Sequence, residues 1–229
     1  MYFDYIKGKK VVFVGACPIL KGKRQGEEID SYDVVVRTNG SINLIDNPEF
    51  TKDFGRRCDV LYTNGQFYRE MKPLPIGDYK CKGVKWLCMK GIEKKDKRDY
   101  SNLMNVRTIR DTINKVIILL ESANMGSFIY TDILDQAPKE LMVTGVDFFA
   151  SKMKVFQTGN YQEYVDGYLP DKIVKQGNII NQGKTEDGHD FIGNAKYIHS
   201  LYEQFENFAF PEEILNILTG IIKGEVTQR

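Results

Sequence analysis

Four segments of this 229-residue chain close a β-rich run with small or amide-bearing residues: Gly15-Ala16-Cys17-Pro18, Arg37-Thr38-Asn39-Gly40, Tyr62-Thr63-Asn64-Gly65 and Gly145-Val146-Asp147. An asparagine amide both donates and accepts, so it suits sugar hydroxyls, base edges and phosphate oxygens. An Asn-Gly pair also makes a tight turn unaided, and two such pairs at consecutive strand ends admit both readings. The candidate catalytic group is His189, in Glu186-Asp187-Gly188-His189-Asp190-Phe191. An imidazole with an ordinary pKa of about 6.5 suits general-base work near neutrality. Its place between a glycine-rich stretch and a helix would set it at a helix N-terminus beside the sheet edge; taken alone, it reads as a surface histidine in a polar loop. His199, the other of the two histidines, falls off the apolar stripe of the next helix and reads as structural or exposed.

The familiar phosphate-binding devices are missing. No G-x-x-x-x-G-K-[ST] occurs, and the glycines after the first strand, at 15, 22 and 26, are too widely spaced for G-x-G-x-x-G. No Asp-x-Asp occurs to hold a sugar-nucleotide phosphate through a divalent metal. A bound phosphate would therefore be held by backbone N–H groups and neutral or basic side chains. Cysteines at 17, 58, 81 and 88 form no C-x-x-C pair, and with two histidines they give no structural zinc site. They read as small core residues of a reducing, cytoplasmic setting. With 32 Lys and Arg against 31 Asp and Glu, the net charge of +1 excludes a global basic field for nucleic acid or anionic membrane. No apolar run approaches a membrane span, and the N-terminus lacks a signal-peptide layout.

The elements that must position these residues alternate. Apolar, β-branched runs at 10–15, 32–37, 58–62, 83–88 and 140–146 read as buried strands. Residues 21–31 form a helix-tolerant connection, and helical spacing recurs at 66–71, 109–120, 127–134, 194–205 and 211–222. The order is α/β: an open, mostly parallel twisted sheet with helices on both faces, whose ligands would sit at the carboxyl ends of the strands. One domain at 1–210 is expected, followed by an amphipathic helix and tail at 211–229 whose apolar face buries against the body or a partner. Lys90 to Arg98 reads as a solvated charged loop. Residues 150–188 carry Gly159, Gly167, Gly177, Gly183 and Gly188 without an apolar period, and read as a lid.

In sequence, these strings resemble the sialyltransferases. Gly15 to Gly22 followed by Gly26 to Asn39 is similar to the large sialylmotif of the animal enzymes (glycosyltransferase family 29) and of the single-domain bacterial ones (family 42). Phe54 to Asn64 resembles the next bacterial block. Gly126 with Leu141 to Phe149 resembles the small motif, and Gly188-His189 with Asn194 the very small one. The resemblance implies a metal-independent, GT-A-like glycosyltransferase without a cofactor. Its partners would be a CMP-activated donor, of sialic acid or a related sugar, and an unidentified hydroxyl acceptor. It assigns donor contacts to Gly15, Ala16, Cys17, Arg37, Asn39, Asn64, Asn124 and Gly126, and the base to His189. The chain departs from the family pattern in four places. Ala16 stands where asparagine is usual, Asn124 and Met125 replace hydroxyl residues, Phe149 replaces a tyrosine near the leaving phosphate, and Asn194 replaces an acid. Tyr161, Tyr164 or Tyr168 in the lid could return the missing hydroxyl. A nucleotide-dependent hydrolase and a binding module that has lost activity are the rival expectations.

Overall fold

A computed structural model describes residues 1–63, 82–90, 105–120, 122–148 and 190–226. Its strands are β1 (Lys10–Val14), β2 (Val34–Thr38), β3 (Val60–Thr63), β4 (Trp86–Met89), β5 (Asn105–Thr108), β6 (Glu140–Thr144) and β7 (Phe208–Ala209). They form one sheet in the order β5-β4-β3-β2-β1-β6-β7, and every neighbouring pair is parallel. The α-helices within the described residues are α1 (Tyr2–Ile6), α2 (Gly26–Asp30), α3 (Pro48–Phe54), α4 (Arg110–Leu119), α5 (Met125–Leu134), α6 (Phe191–Gln204) and α7 (Glu212–Lys223). The open parallel α/β sheet expected from the hydrophobic runs is the one observed.

The inner strands are apolar on both faces because both faces are covered. Register aligns Phe13, Val36 and Val60 on one face, with Tyr62, Cys88 and Arg107 in the next row of that face. There the Phe13 ring meets Tyr130 of α5 edge-on, 5.3 Å between centroids, and Tyr62 hydrogen-bonds Tyr2 of α1. The other face carries Arg37, Leu61 and Leu87; Arg37 reaches backbone carbonyls at the end of α3. On α7, Ile214, Leu218 and Ile221 are buried in the main core, so the body itself supplies the surface that its apolar stripe requires. No helix among the described residues is long and apolar enough to cross a membrane.

Local chemistry sets several boundaries. Asn47 caps α3 ahead of Pro48, and Asp190 caps α6 by accepting from the Gly193 amide at 2.8 Å. Gly224 ends α7 with φ of 76°, the left-handed conformation a glycine adopts at low cost. The connection expected at 21–31 is helical only over α2. Strands β5 and β7 and helices α1 and α3 were not expected: β5 is a four-residue, half-exposed edge strand and β7 has two residues, too short to show a period. The helix expected at 66–71 and the lid at 150–188 lie outside the described residues.

Candidate active site

The chain lays strands outward from β1 to β5, then returns to place β6 on the other side of β1, so the order reverses between β1 and β6. In open parallel sheets the crevice at such a reversal, beyond the carboxyl ends, is where ligands bind. The two loops flanking it are Gly15 to Pro18 and Gly145 to Phe148. They are laced together: the Gly15 amide donates to the Thr144 carbonyl and the Cys17 amide to the Gly145 carbonyl, each at 2.9 Å. A Cβ on Gly15 would overlap the Gly145 carbonyl oxygen and stand 2.6 Å from Cγ1 of Val146. Gly15 is therefore required where one strand-end loop crosses the other. Ala16 is half-buried, and Cys17 is buried, as its reading as a small core residue anticipates.

Asn39 stands at the carboxyl end of β2 with φ of 47°, a conformation asparagine tolerates better than most residues. The turn is pinned beneath it by Ser41, whose hydroxyl donates to the Thr38 carbonyl at 2.6 Å and accepts from the Thr38 amide at 3.1 Å. Arg37 requires a correction. It was expected among the donor contacts, but its side chain is wholly enclosed on the face opposite α5. Nε donates to the Arg57 carbonyl at 2.7 Å, and Nη2 to those of Phe54 and Gly55 at 2.6 and 3.1 Å. Arg37 is the penultimate residue of β2, and its side chain points into the core; here arginine ties the close of α3 to the sheet.

Helix α5 runs against the strand direction, so its N-terminus faces the carboxyl edge. Phe128 lies level with Lys90 just past β4, whereas Asp132 lies level with Tyr62 inside the sheet. Asn124 caps the helix by accepting from the Ser127 amide at 2.9 Å. Gly126 leaves room for its neighbours, since a Cβ there would meet Asn124 Oδ1 at 3.2 Å and the Tyr130 hydroxyl at 3.3 Å. Asn194 of α6 holds this turn: its Oδ1 accepts from the Asn124 amide (2.9 Å) and the Ser127 hydroxyl (2.7 Å), while Nδ2 donates to the carbonyls of Ser122 and Asp190 (2.9 and 2.5 Å). The small-motif turn and the start of α6, the helix that follows His189, are thus one hydrogen-bonded unit.

Two features went unseen in the sequence. Asp132, buried in α5, accepts from Tyr62 (2.6 Å), from both terminal nitrogens of Arg107 (2.5 and 2.9 Å) and from Thr112 (2.7 Å). The signal was one acid inside the apolar run Ile129-Tyr130-Thr131-Asp132-Ile133-Leu134. The other feature is Lys90, read as the first residue of a solvated loop. It is half-buried, with its ammonium 4.4 Å above the Phe128 ring, and burial draws its pKa down. His199 lies on α6 with Nδ1 3.6 Å from Glu203 and its ring 6.2 Å from that of Tyr202. Asn64, Phe149, the tyrosines at 161, 164 and 168, and His189 lie outside the described residues. Among the described residues no three His, Cys, Asp or Glu side chains gather closely enough to hold a metal ion.

Residues 6–119 match the family model for glycosyltransferase family 29 (sialyltransferase). Among solved structures, the sialyltransferase CstII from Campylobacter jejuni, in complex with the substrate analogue cytidine-5'-monophosphate, is similar across 97% of this chain and 85% of that chain. Its TM-score is 0.56 at 15% identity. A mammalian sialyltransferase is similar across 90% of this chain and 69% of that chain, with a TM-score of 0.52 at 14% identity. A comparison of the sequence with curated proteins finds no match.

Proposed function

We propose that this chain, a glycosyltransferase of the sialyltransferase type, moves a sugar from a CMP-activated donor onto an acceptor hydroxyl with inversion. One observation carries the reading. The Gly15 to Cys17 loop, Asn39 and the Asn124 to Gly126 turn meet the carboxyl edge of one parallel sheet, in a fold shared with an enzyme held in complex with CMP. Asn39 and Asn64 hold the nucleotide, and the crossing loops approach the phosphate. His189 takes the acceptor proton as the hydroxyl oxygen bonds to the anomeric carbon. The bond from that carbon to the phosphate oxygen breaks, and its electron pair leaves with CMP. Charge builds on both the sugar and the departing phosphate, so donors fixed in advance around the phosphate stabilise the transition state most. No Asp-x-Asp is present, and the phosphate is held without a divalent ion.

The test is calorimetric titration of CMP, UMP, GMP and AMP, with Asn39→Ala alongside. CMP is expected to bind best, and Asn39→Ala to weaken it by roughly 1–3 kcal/mol as a desolvated partner loses its hydrogen bond. Equal binding of all four nucleotides, or unchanged CMP affinity in Asn39→Ala, would overturn the assignment of this edge to cytidine.

A further inference from the structure

We propose that Lys90 binds the phosphate of the nucleotide donor. The proposal rests on the reading of this chain as an enzyme that uses a nucleotide-activated sugar, and it adds a residue that no motif assigns. Lys90 follows β4 directly, and its amide donates to the Thr63 carbonyl at 3.0 Å. That bond fixes it at the carboxyl edge, beside the strand that leads into Asn64. The side chain does not run out into water. Its Nζ stands 4.4 Å above the centroid of Phe128, a core ring one turn into α5 and 1% exposed. The ammonium therefore packs on the helix whose N-terminus is the turn formed by Asn124 and Gly126.

A lysine at the other end of the same strand sets the contrast. Lys85 pairs with Asp59 at 3.0 Å, and that carboxylate raises its pKa. Burial draws the pKa of Lys90 down, and among the described residues no carboxylate stands beside the ammonium. A cation withdrawn from water without an anion is unfavourable, and an aromatic face offsets only part of that loss. The site is thus arranged for an anionic oxygen to complete it. A donor phosphate in the crevice needs a counter-charge. The chain has no Asp-x-Asp to bring a divalent ion, and Arg37 is enclosed on the other face of the sheet with Nε and Nη2 on backbone carbonyls. Lys90 is a mobile point charge on a long stem, able to lean from the ring towards the phosphate and to follow the charge that grows there as the bond to the sugar breaks.

The experiment is calorimetric titration of the full chain, Lys90→Met and Lys90→Arg with CMP and with cytidine, which lacks the phosphate. The wild-type chain is expected to bind CMP more tightly than cytidine. Lys90→Met should weaken CMP about tenfold to a hundredfold, in line with losing one charge-assisted hydrogen bond, and leave cytidine unchanged. Lys90→Arg should stay within a few-fold of wild type. Lys90→Gln carries the same expectation as Lys90→Met, and thermal melting of the free proteins establishes that each variant is folded. Unchanged CMP affinity in Lys90→Met, or equal weakening of CMP and cytidine, would overturn the proposal while leaving the cytidine reading intact. So would an effect absent from CMP and present only with a carboxylate-bearing CMP-sugar. Preference for UMP with the same dependence on Lys90 would instead sink the cytidine reading and sustain the phosphate contact. A wild-type chain that binds no nucleotide overturns both.

Discussion

Asn194 shows how much one atom type decides. Its Nδ2 donates to two carbonyls, those of Ser122 and Asp190, and its Oδ1 accepts from two donors. A carboxylate in the same place could accept but could not donate, so an acid is incompatible with this turn as built. Asn194→Asp is expected to lose about 1–3 kcal/mol of stability, because two buried carbonyls are left facing an oxygen; urea unfolding at pH 7 measures it. A variant as stable as wild type would mean that the amide orientation is wrong. Gly15 is constrained as tightly, by backbone. Gly15→Ala drives a methyl group into the Gly145 carbonyl and is expected to lose about 1–3 kcal/mol on the same assay, with the loop shift also weakening CMP. The resemblance assigns Gly15 a donor contact; in the fold, it first lets another loop approach.

At the scale of elements, α5 carries the most. Its N-terminus forms the Asn124 to Gly126 turn, while its middle buries Asp132 against Tyr62 of β3, Arg107 of β5 and Thr112 of α4. The Arg107 guanidinium also covers the Tyr2 ring of α1, 4.3 Å from its centroid. One carboxylate therefore joins five elements and sets how α5 lies on the sheet, and through that where its N-terminus meets the carboxyl edge. Removing one partner of a buried ion pair leaves the other charge uncompensated. Asp132→Ala is expected to lose about 3–5 kcal/mol, towards the lower end because Arg107 keeps some access to water. Tyr62→Phe should lose only about 1 kcal/mol. Chemical denaturation of both variants checks the order; a larger loss in Tyr62→Phe would contradict it.

Across the whole molecule, burial gives the core an alkaline weakness. Burial pushes the thiols of Cys58 and Cys88 up to about 12, and drives the phenols of Tyr2, Tyr62 and Tyr130 above their ordinary range. Unfolded thiols ionise near pH 8.5 and unfolded phenols near pH 10. Between pH 8.5 and about 12 the unfolded chain gives up thiol protons that the folded chain retains, so stability present below pH 8.5 falls as pH rises. The slope is expected to be about 1 kcal/mol per pH unit for each buried thiol, steepening above pH 10 as the phenols join. Urea midpoints at pH 8, 9 and 10 measure the thiol contribution, and Cys58→Ala with Cys88→Ala should flatten it. An unchanged slope in that double variant would assign the loss to other groups.

The sheet, its parallel sense and the edge at which ligands would gather were legible in the chain alone. Val11 to Val14, Val34 to Val36 and Leu141 to Val143 are short apolar runs that only a doubly covered strand can bury, and a parallel pair needs the crossovers supplied between them. Which residues stand on those edges was legible for the same reason, since a strand end fixes the place of the next few residues. What sequence spacing could not decide was orientation. Arg37 and Thr38 are neighbours on β2, yet strand alternation sends one into the core and leaves the other at the edge, and only the partners packed on each face determine which is useful to a ligand. Asp132 and Lys90 were invisible for a related reason. Each takes its meaning from a residue far along the chain, Asp132 from Tyr62 and Arg107, Lys90 from Phe128, and contacts of that separation come into being only when the chain has folded.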